Sequence, residues 1–177
     1  MLNNIYLIDC DTVKALTYVN YNVSDDILGA AIRSAQNVYL REIIGNALLT
    51  SIQEKVSGNT INEPENAAYL DLLDNYIMNY LAFQAQVNAV MRLSYKLRNI
   101  GVSQDTDTNV QAQTREVLND NESDLKTFAV DAANRIRCYL RSNKDAFPEL
   151  SETPCVCGAC DNGPDLELKA NTNLYLG

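Results

Sequence analysis

Apolar residues recur every three or four positions over much of the chain, the spacing that places them on one face of an α-helix. The clearest run follows Ser24, a residue suited to a helix N-cap. Asp25 and Asp26 come next, in the first turn, where carboxylates complement the helix dipole. This run predicts a helix that ends before Gly45, and the pattern resumes in a short second helix over residues 47–56.

Two shorter features precede this helix. The apolar run over residues 5–8 suits either a short buried strand or a simple hydrophobic lead-in, and its period decides for neither. Asp11 or Thr12 is suited to cap the segment that follows, which predicts a helix of one or two turns over residues 11–16.

Two much longer helices are predicted in the second half of the chain. Pro64 fits the first turn of a helix with few stop signals before Gly101. The acidic, breaker-rich stretch 101–109 predicts an exposed turn, so the next helix runs back antiparallel to the first. That helix covers about residues 108–143, and the segment 119–124, which is poor in helix formers, predicts a bend or an interruption.

Helical periodicity ends near residue 144, where prolines and glycines become frequent. The pattern therefore predicts a helical domain over residues 1–143 and an extended C-terminal arm over 144–177. Leucines alternate with other residues near the end of the arm, which suits strands added to the edge of a partner's sheet. The predicted fold class is mostly α: a helical bundle with two long antiparallel helices and an extended arm, in which short β-strands are an option.

Several side chains are predicted to lie at protein interfaces. On the long helices these are the aromatic stripe and two of the basic residues near the C-terminal end of the bundle: Tyr69, Tyr76, Tyr80, Arg135 and Arg141. In the arm they are the alternating apolar positions: Leu166, Leu168, Leu174, Tyr175 and Leu176. A tyrosine stripe at helical spacing is also what a bundle core requires, so packing within the chain is the simpler interpretation of the first three residues.

Composition narrows the classes of function. A net charge of -9 and a pI near 4.4 disfavour stable binding to nucleic acid, which needs clustered cations. With no histidine, the Ser-His-Asp and Cys-His constellations are excluded, and no glycine-rich phosphate motif occurs. The sequence therefore predicts a protein that is not an enzyme and carries no cofactor. Without a long apolar run or a basic, apolar N-terminal signal, it predicts synthesis in a cytosol-like compartment and no membrane partner.

Paired carboxylates are the first candidate ligands for a cation. Asp105 and Asp107 are predicted to lie in a solvated loop, and Asp25 and Asp26 already serve a helix start. Such pairs can hold a divalent cation or serve acid-base chemistry, but solvation and capping explain them without either.

Three clustered thiols are the sharpest chemical signal. Cys155, Cys157 and Cys160 lie within six residues, close enough to wrap one soft metal ion such as zinc. A closed zinc site needs a fourth ligand, which Asp161, Cys10, Cys138 or another subunit would have to supply. The alternative is that these small side chains are buried against a partner as reduced thiols, with no metal bound.

The stretch Thr12–Gly45, and especially Val23–Gly45, resembles the opening of head-tail connector proteins of tailed bacteriophages, also called adaptor, head-completion or neck ring proteins. That opening has a short helix, an acidic pair that caps a second helix, an alanine followed by a tyrosine and then leucine or isoleucine, and a glycine turn. The resemblance covers about a fifth of the chain, and its pattern carries no chemistry of its own.

The resemblance implies a helical bundle whose copies, usually twelve, form a ring between the portal protein and the next ring or tail protein. The ring would extend the DNA channel, with DNA as non-specific passing cargo and Asp105 and Asp107 facing the channel or lying in its loops. A negative wall repels DNA and lets it slide. The resemblance also implies that the protein assembles in the host cytoplasm and lies in the neck of the virion. The alternative is a cytosolic helical adaptor module with a cysteine-rich, zinc-stabilised tail.

Overall fold

The computed structural model describes residues 5–19, 21–94, 96–98, 101–103 and 115–150, with side chains over 5–19, 21–90 and 123–150. This part of the chain is mostly helical, and we label five helices. They are α1 (Cys10–Leu16), α2 (Asp25–Ser34, Ala35–Leu40 and Arg41–Ile44), α3 (Asn46–Ser57), α4 (Ala67–Leu72, Leu73–Ile77 and Met78–Ser94) and α5 (Arg115–Ser142).

The N-terminal segment enters the core without forming a strand. Residues 5–9 are irregular, and Leu7 and Ile8 are buried. The side chain of Asp9 accepts a hydrogen bond of 2.7 Å from the backbone N–H of Thr12, so Asp9 caps α1. The prediction of Asp11 or Thr12 as the cap was therefore wrong. Both lie in the first turn, where the free N–H groups need an acceptor from the preceding residue.

Helix α2 confirms the predicted helix between Ser24 and Gly45. Its middle segment, Ala35–Leu40, widens into a π-helical turn before the last four residues return to α geometry. Gly45 ends the helix at φ 81°, a backbone conformation that glycine adopts without a Cβ penalty, and α3 begins at the next residue. The glycine therefore makes the corner at which the chain turns from α2 into α3.

Helix α4 follows a 3₁₀ turn, Pro64–Asn66, and contains a second π-helical turn at Leu73–Ile77. The helix ends at Ser94, so the prediction that it continues to Gly101 was wrong. Strand β1 (Lys96–Arg98) instead pairs in antiparallel fashion with β2 (Gly101–Ser103). Its backbone groups are thus bonded across to β2 and not back along a helix. Residues 104–109, the remainder of the predicted turn, lie outside the described residues.

Helix α5 runs without interruption from Arg115 to Ser142. The interruption predicted as one alternative for residues 119–124 was wrong. Each poor helix former there costs only about 0.5 kcal/mol, and continuing an existing helix gains a hydrogen bond per residue, so a short unfavourable stretch is carried through. The predicted start of this helix near residue 108 lies outside the described residues.

The core lies where α2, α4 and α5 meet, with α1 and α3 closing its sides. Its largest fully buried side chains come from every helix except α1: Leu28, Ile32, Leu40, Ile44, Leu48, Leu49, Ile52, Leu72, Ile77, Leu81 and Ile136, joined by Phe147. No helix within the described ranges is long and apolar enough to cross a membrane.

The chain beyond α5 folds back onto the body. Two 3₁₀ turns, Lys144–Ala146 and Pro148–Leu150, carry Phe147 and Leu150 into buried positions. The sequence pattern places these residues in the arm, whereas in the structure residues 144–150 pack with the helices. Residues 151–177, which are the rest of the predicted arm, lie outside the described residues.

Candidate interaction surfaces

Four aromatic rings form a line, which we call the aromatic line, from the end of the described chain into the space between α4 and α5. Tyr69 and Phe147 meet edge to face with centroids 5.1 Å apart, and Phe147 lies 6.2 Å from Tyr139. Tyr139 in turn packs on Tyr76 at 4.5 Å. Such pairs add to the apolar burial, so the line attaches residues 144–150 to both long helices.

Tyr69 is also the polar centre of this attachment. Its hydroxyl lies 3.0 and 2.9 Å from the two carboxylate oxygens of Glu149, and the ammonium of Lys55 lies 4.5 Å from the centre of its ring. Burial, and then the hydrogen bond to Glu149, raises the pKa of Tyr69 to about 12. The protonated phenol is thus the form that holds the C-terminal turn.

This pKa shift predicts that the protein loses stability at high pH. The unfolded tyrosine ionises near pH 10, whereas the folded one keeps its proton to about pH 12. The folded state therefore binds more protons in this window, and its stability is full below about pH 10 and falls as the pH rises towards 12. Urea titrations between pH 9 and 12 should show the fall.

Tyr69→Phe should make that fall shallower, because the group that titrates is gone. Tyr18→Phe is the matched control, since that ring is 93% exposed, and it should leave the pH profile unchanged. Burial also raises the pKa of Tyr80 and of Tyr139, so some decline should persist in Tyr69→Phe. An identical profile for wild type and Tyr69→Phe would contradict the assignment.

An open groove runs between α4 and α5, beyond the inner end of the aromatic line. We call it the interhelical groove. It has a volume of about 400 Å³ and is lined by a stripe from each helix: Asn75, Tyr76, Asn79 and Phe83 from α4, and Phe128, Asp131, Ala132 and Arg135 from α5. The π-helical turn of α4 supplies the first two of these residues. Such turns are frequent at functional sites in proteins.

The interhelical groove is apolar at its floor and polar along its rim. Phe128 stacks on Phe83 with centroids 5.8 Å apart, yet it remains 49% exposed. Asp131 and Arg135 lie on the rim and are exposed, and neither makes an ion pair with another described residue. A large aromatic ring left half in water between unpaired charges is typical of a surface that binds another polypeptide segment.

A second aromatic surface lies on the connection between α1 and α2. The residues Tyr18 and Tyr21 are 93% and 72% exposed. Neither belongs to the interhelical groove. Exposed tyrosines that offer a ring and a hydroxyl are enriched at interfaces between proteins, so this connection is a second candidate contact.

Asp25, the first residue of the acidic pair at the start of α2, contacts another element of the fold. Asp25 accepts a hydrogen bond of 2.6 Å from the ammonium of Lys14 on α1, whose side chain is buried, and this bond raises the pKa of Lys14. Burial, followed by the charge of Asp25, raises the pKa of the Cys10 thiol. Asp25 therefore links α1 to α2 and also places a negative charge in the first turn of α2.

The structure places the predicted interface residues in different environments. Tyr69 and Tyr80 are buried in the core, and Tyr76 is half-buried at the groove. Arg135 and Arg141 are exposed on α5. The remaining predicted site residues lie outside the described residues: Asp105, Asp107, Cys155, Cys157, Cys160, Leu166, Leu168, Leu174, Tyr175 and Leu176.

The sequence pattern singles out Tyr76 but not Phe128, the exposed ring of the groove. Phe128 appears in the sequence only as one member of an apolar stripe, and nothing in a helical pattern says which member lies at the edge. The described residues contain no group of three or more side chains that could hold a metal ion, and Cys10 and Cys138, the cysteines among them, are unpaired.

Fold and surfaces together define a mostly helical domain that presents aromatic side chains at two separate places. The chain belongs to DUF6712, a family of unknown function, whose family model matches residues 40–159. The matched range covers α3, α4 and α5 and includes the interhelical groove. It overlaps the stretch that resembles phage connectors only at residues 40–45. No curated protein and no solved structure matches the chain.

Proposed function

We propose that the protein is a structural subunit of a ring in the neck of a tailed bacteriophage, between the portal protein and the next ring or tail protein. In this proposal the body is a bundle whose two long helices, α4 and α5, run antiparallel, and the extended C-terminal arm contacts neighbouring subunits. The protein is not an enzyme and acts by assembly. Its place is the neck of the virion, and it assembles in the host cytoplasm.

The observation that carries the proposal is the presence of two different exposed aromatic surfaces on one small domain. A ring is built from head-to-tail contacts, in which one face of each subunit meets a different face of the next. The interhelical groove with Phe128 and the connection with Tyr18 and Tyr21 are two such unlike faces. A two-fold dimer would need only one self-complementary patch.

The charge of the chain supports the same proposal. A net charge of -9 disfavours attachment to DNA, whereas a channel through which DNA passes needs a wall that repels it. Tyr18 and Tyr21 are next to the segment Val23–Gly45, whose sequence resembles phage connectors. This surface is therefore the one we assign to contact with a neighbouring subunit or with the portal protein.

A genetic experiment tests the function. The coding sequence is disrupted in the phage that carries it, and particles are examined by electron microscopy after induction or infection. We expect heads and free tails that fail to join, and joining should be restored when the purified protein is added to the extract. Normal tailed virions that lack this protein would overturn the proposal.

A further inference from the structure

The interhelical groove has the dimensions of a site for a short extended segment. From Asn75 to Phe83, α4 advances eight residues, or about 12 Å. An extended segment of four or five residues covers about 13 to 16 Å. The floor offers Tyr76, Phe83 and Ala132 for apolar side chains, and the rim offers one positive and one negative charge. A segment that fits must therefore combine apolar side chains with charges of both signs.

Ring contacts connect Phe147, near the end of the described chain, to one end of this groove. Phe147 packs on Tyr139, and Tyr139 packs on Tyr76, which is itself part of the groove lining. The last described residue, Leu150, is buried beside α3, three residues beyond Phe147. The aromatic line thus joins Phe147, three residues before the last described residue, to the near end of the groove.

The sequences outside the described residues differ in their fit. Residues 104–114 carry only valine and alanine as apolar side chains. Within 151–177, Asp165–Lys169 reads Asp-Leu-Glu-Leu-Lys, with two leucines at alternate positions among charges of both signs. The later run over residues 174–176 is apolar but has no charged residue beside it. Asp165–Lys169 is therefore the segment that offers leucines to the floor, a carboxylate to Arg135 and an ammonium to Asp131.

We propose that Asp165–Lys169 docks in the interhelical groove of its own chain when the subunit is free. The intervening residues 151–164 can span about 45 Å when extended, which exceeds the distance they need to cover along a domain of this size. A tether of that length holds the segment at an effective concentration on the order of millimolar. At micromolar protein concentration, a second copy cannot compete with this tethered segment.

The proposal that the segment docks within its own chain does not depend on the proposed function. One consequence of it rests on that function: in a ring, the same segment can leave its own groove and enter that of a neighbour, since exchange of an identical element conserves every contact.

The test places a photoreactive benzoylphenylalanine at position 128 of the full chain, where an aromatic ring already lies at the edge of the groove. Illumination at low micromolar concentration is followed by digestion and mass spectrometry. An equal mixture of ¹⁴N and ¹⁵N protein distinguishes crosslinks within a chain from crosslinks between chains. We expect crosslinks from position 128 to residues 165–169 in peptides of a single isotopic composition.

Matched variants define the segment. Leu166→Ser with Leu168→Ser should lower the yield of this crosslink by about tenfold or more, because both apolar contacts are lost. Leu174→Ser with Leu176→Ser should leave the yield unchanged. The same photoreactive residue at position 18, outside the groove, should give no such crosslink. Crosslinks of mixed isotopic composition, crosslinks to other residues only, or no crosslink would overturn the proposal. None of these results depends on whether the protein forms a ring in a phage.

Discussion

Replacing Phe147 with alanine is expected to lower the free energy of unfolding by about 3 to 5 kcal/mol. The ring is 1% exposed and contacts Tyr69 edge to face and Tyr139 more obliquely. Its removal leaves a cavity between the helices and the two 3₁₀ turns of residues 144–150, and the surroundings of such a cavity relax only in part. Urea unfolding followed by circular dichroism measures the loss.

Phe128→Ala is the matched control, since it removes the same ring from the same region of the fold. This ring is 49% exposed and keeps one stacking partner, Phe83, so the expected loss is about 1 kcal/mol or less. Equal losses in the two variants would mean that residues 144–150 are not part of the folded body. They would also remove the structural basis for placing the start of the arm beside the interhelical groove.

Replacing Gln36 with leucine is expected to cost about 1 to 3 kcal/mol. The amide of Gln36 is fully buried and holds the N-terminal segment by two bonds: its Oε1 accepts from the backbone N–H of Leu7 at 2.9 Å, and its Nε2 donates to the carbonyl of Ile5 at 2.8 Å. Leucine keeps the volume but leaves the N–H of Leu7 buried without an acceptor. Urea unfolding at neutral pH measures the difference.

Gln36→Glu should destabilise the protein further at neutral pH, because a buried carboxylate would face the carbonyl of Ile5. Burial raises the pKa of the introduced carboxyl above about 4.3, its value in the unfolded chain. Stability should therefore be recovered in part as the pH falls below the folded value, where the acid can donate its proton. A Gln36→Glu variant that is as stable as wild type at pH 7 would exclude the buried bidentate contact.

Gln53→Leu serves as the control for this pair of variants. Its side chain donates to the same carbonyl of Ile5 at 3.1 Å but lies in a half-buried position, so the expected loss is about 0.5 to 1 kcal/mol. If Gln53→Leu lowers the free energy of unfolding as much as Gln36→Leu does, the hydrogen bonds to the carbonyl of Ile5 alone would account for the attachment of residues 5–8.

The helices were predictable where local chemistry decides their ends. Ser24 with its acidic pair and Gly45 mark the two ends of α2 in the sequence. Ser24 occupies the N-cap position, although its side chain makes no capping hydrogen bond, and Gly45 has positive φ. The end of α4 was not predictable in this way. Residues 96–98 are compatible with a helix, and what removes them from it is pairing with a segment five residues further on.

The candidate surfaces are harder to predict from the sequence than the helices. Periodicity identifies an apolar stripe but does not show that Tyr69 and Tyr80 are buried while Phe128 is half in water, since this depends on which helices cover each edge. The buried amides of Gln36 and Asn88 carry no sequence signal at all. Each appears as a polar residue on a helix and is explained only by the backbone groups that it meets in the fold.

The fold-back of residues 144–150 shows the same limit. Prolines and a loss of helical period indicate the end of a helix and predict the beginning of an extended arm. Phe147 and Leu150 are apolar residues in that irregular stretch, and only the tertiary structure shows that Tyr69 and Tyr139 receive the first of them. An isolated apolar residue after a helix is thus a weak signal for continued packing.

We propose that the protein works as a subunit of a ring on the portal, and the most direct test is the mass of the assembly formed with the portal protein of the same phage. Native mass spectrometry of the mixture should show portal particles that carry one complete ring, usually twelve copies. Tyr18→Ser with Tyr21→Ser should prevent addition of the ring while the subunit stays folded. A protein that remains monomeric and never adds to the portal, at concentrations where other neck components bind, would contradict the account.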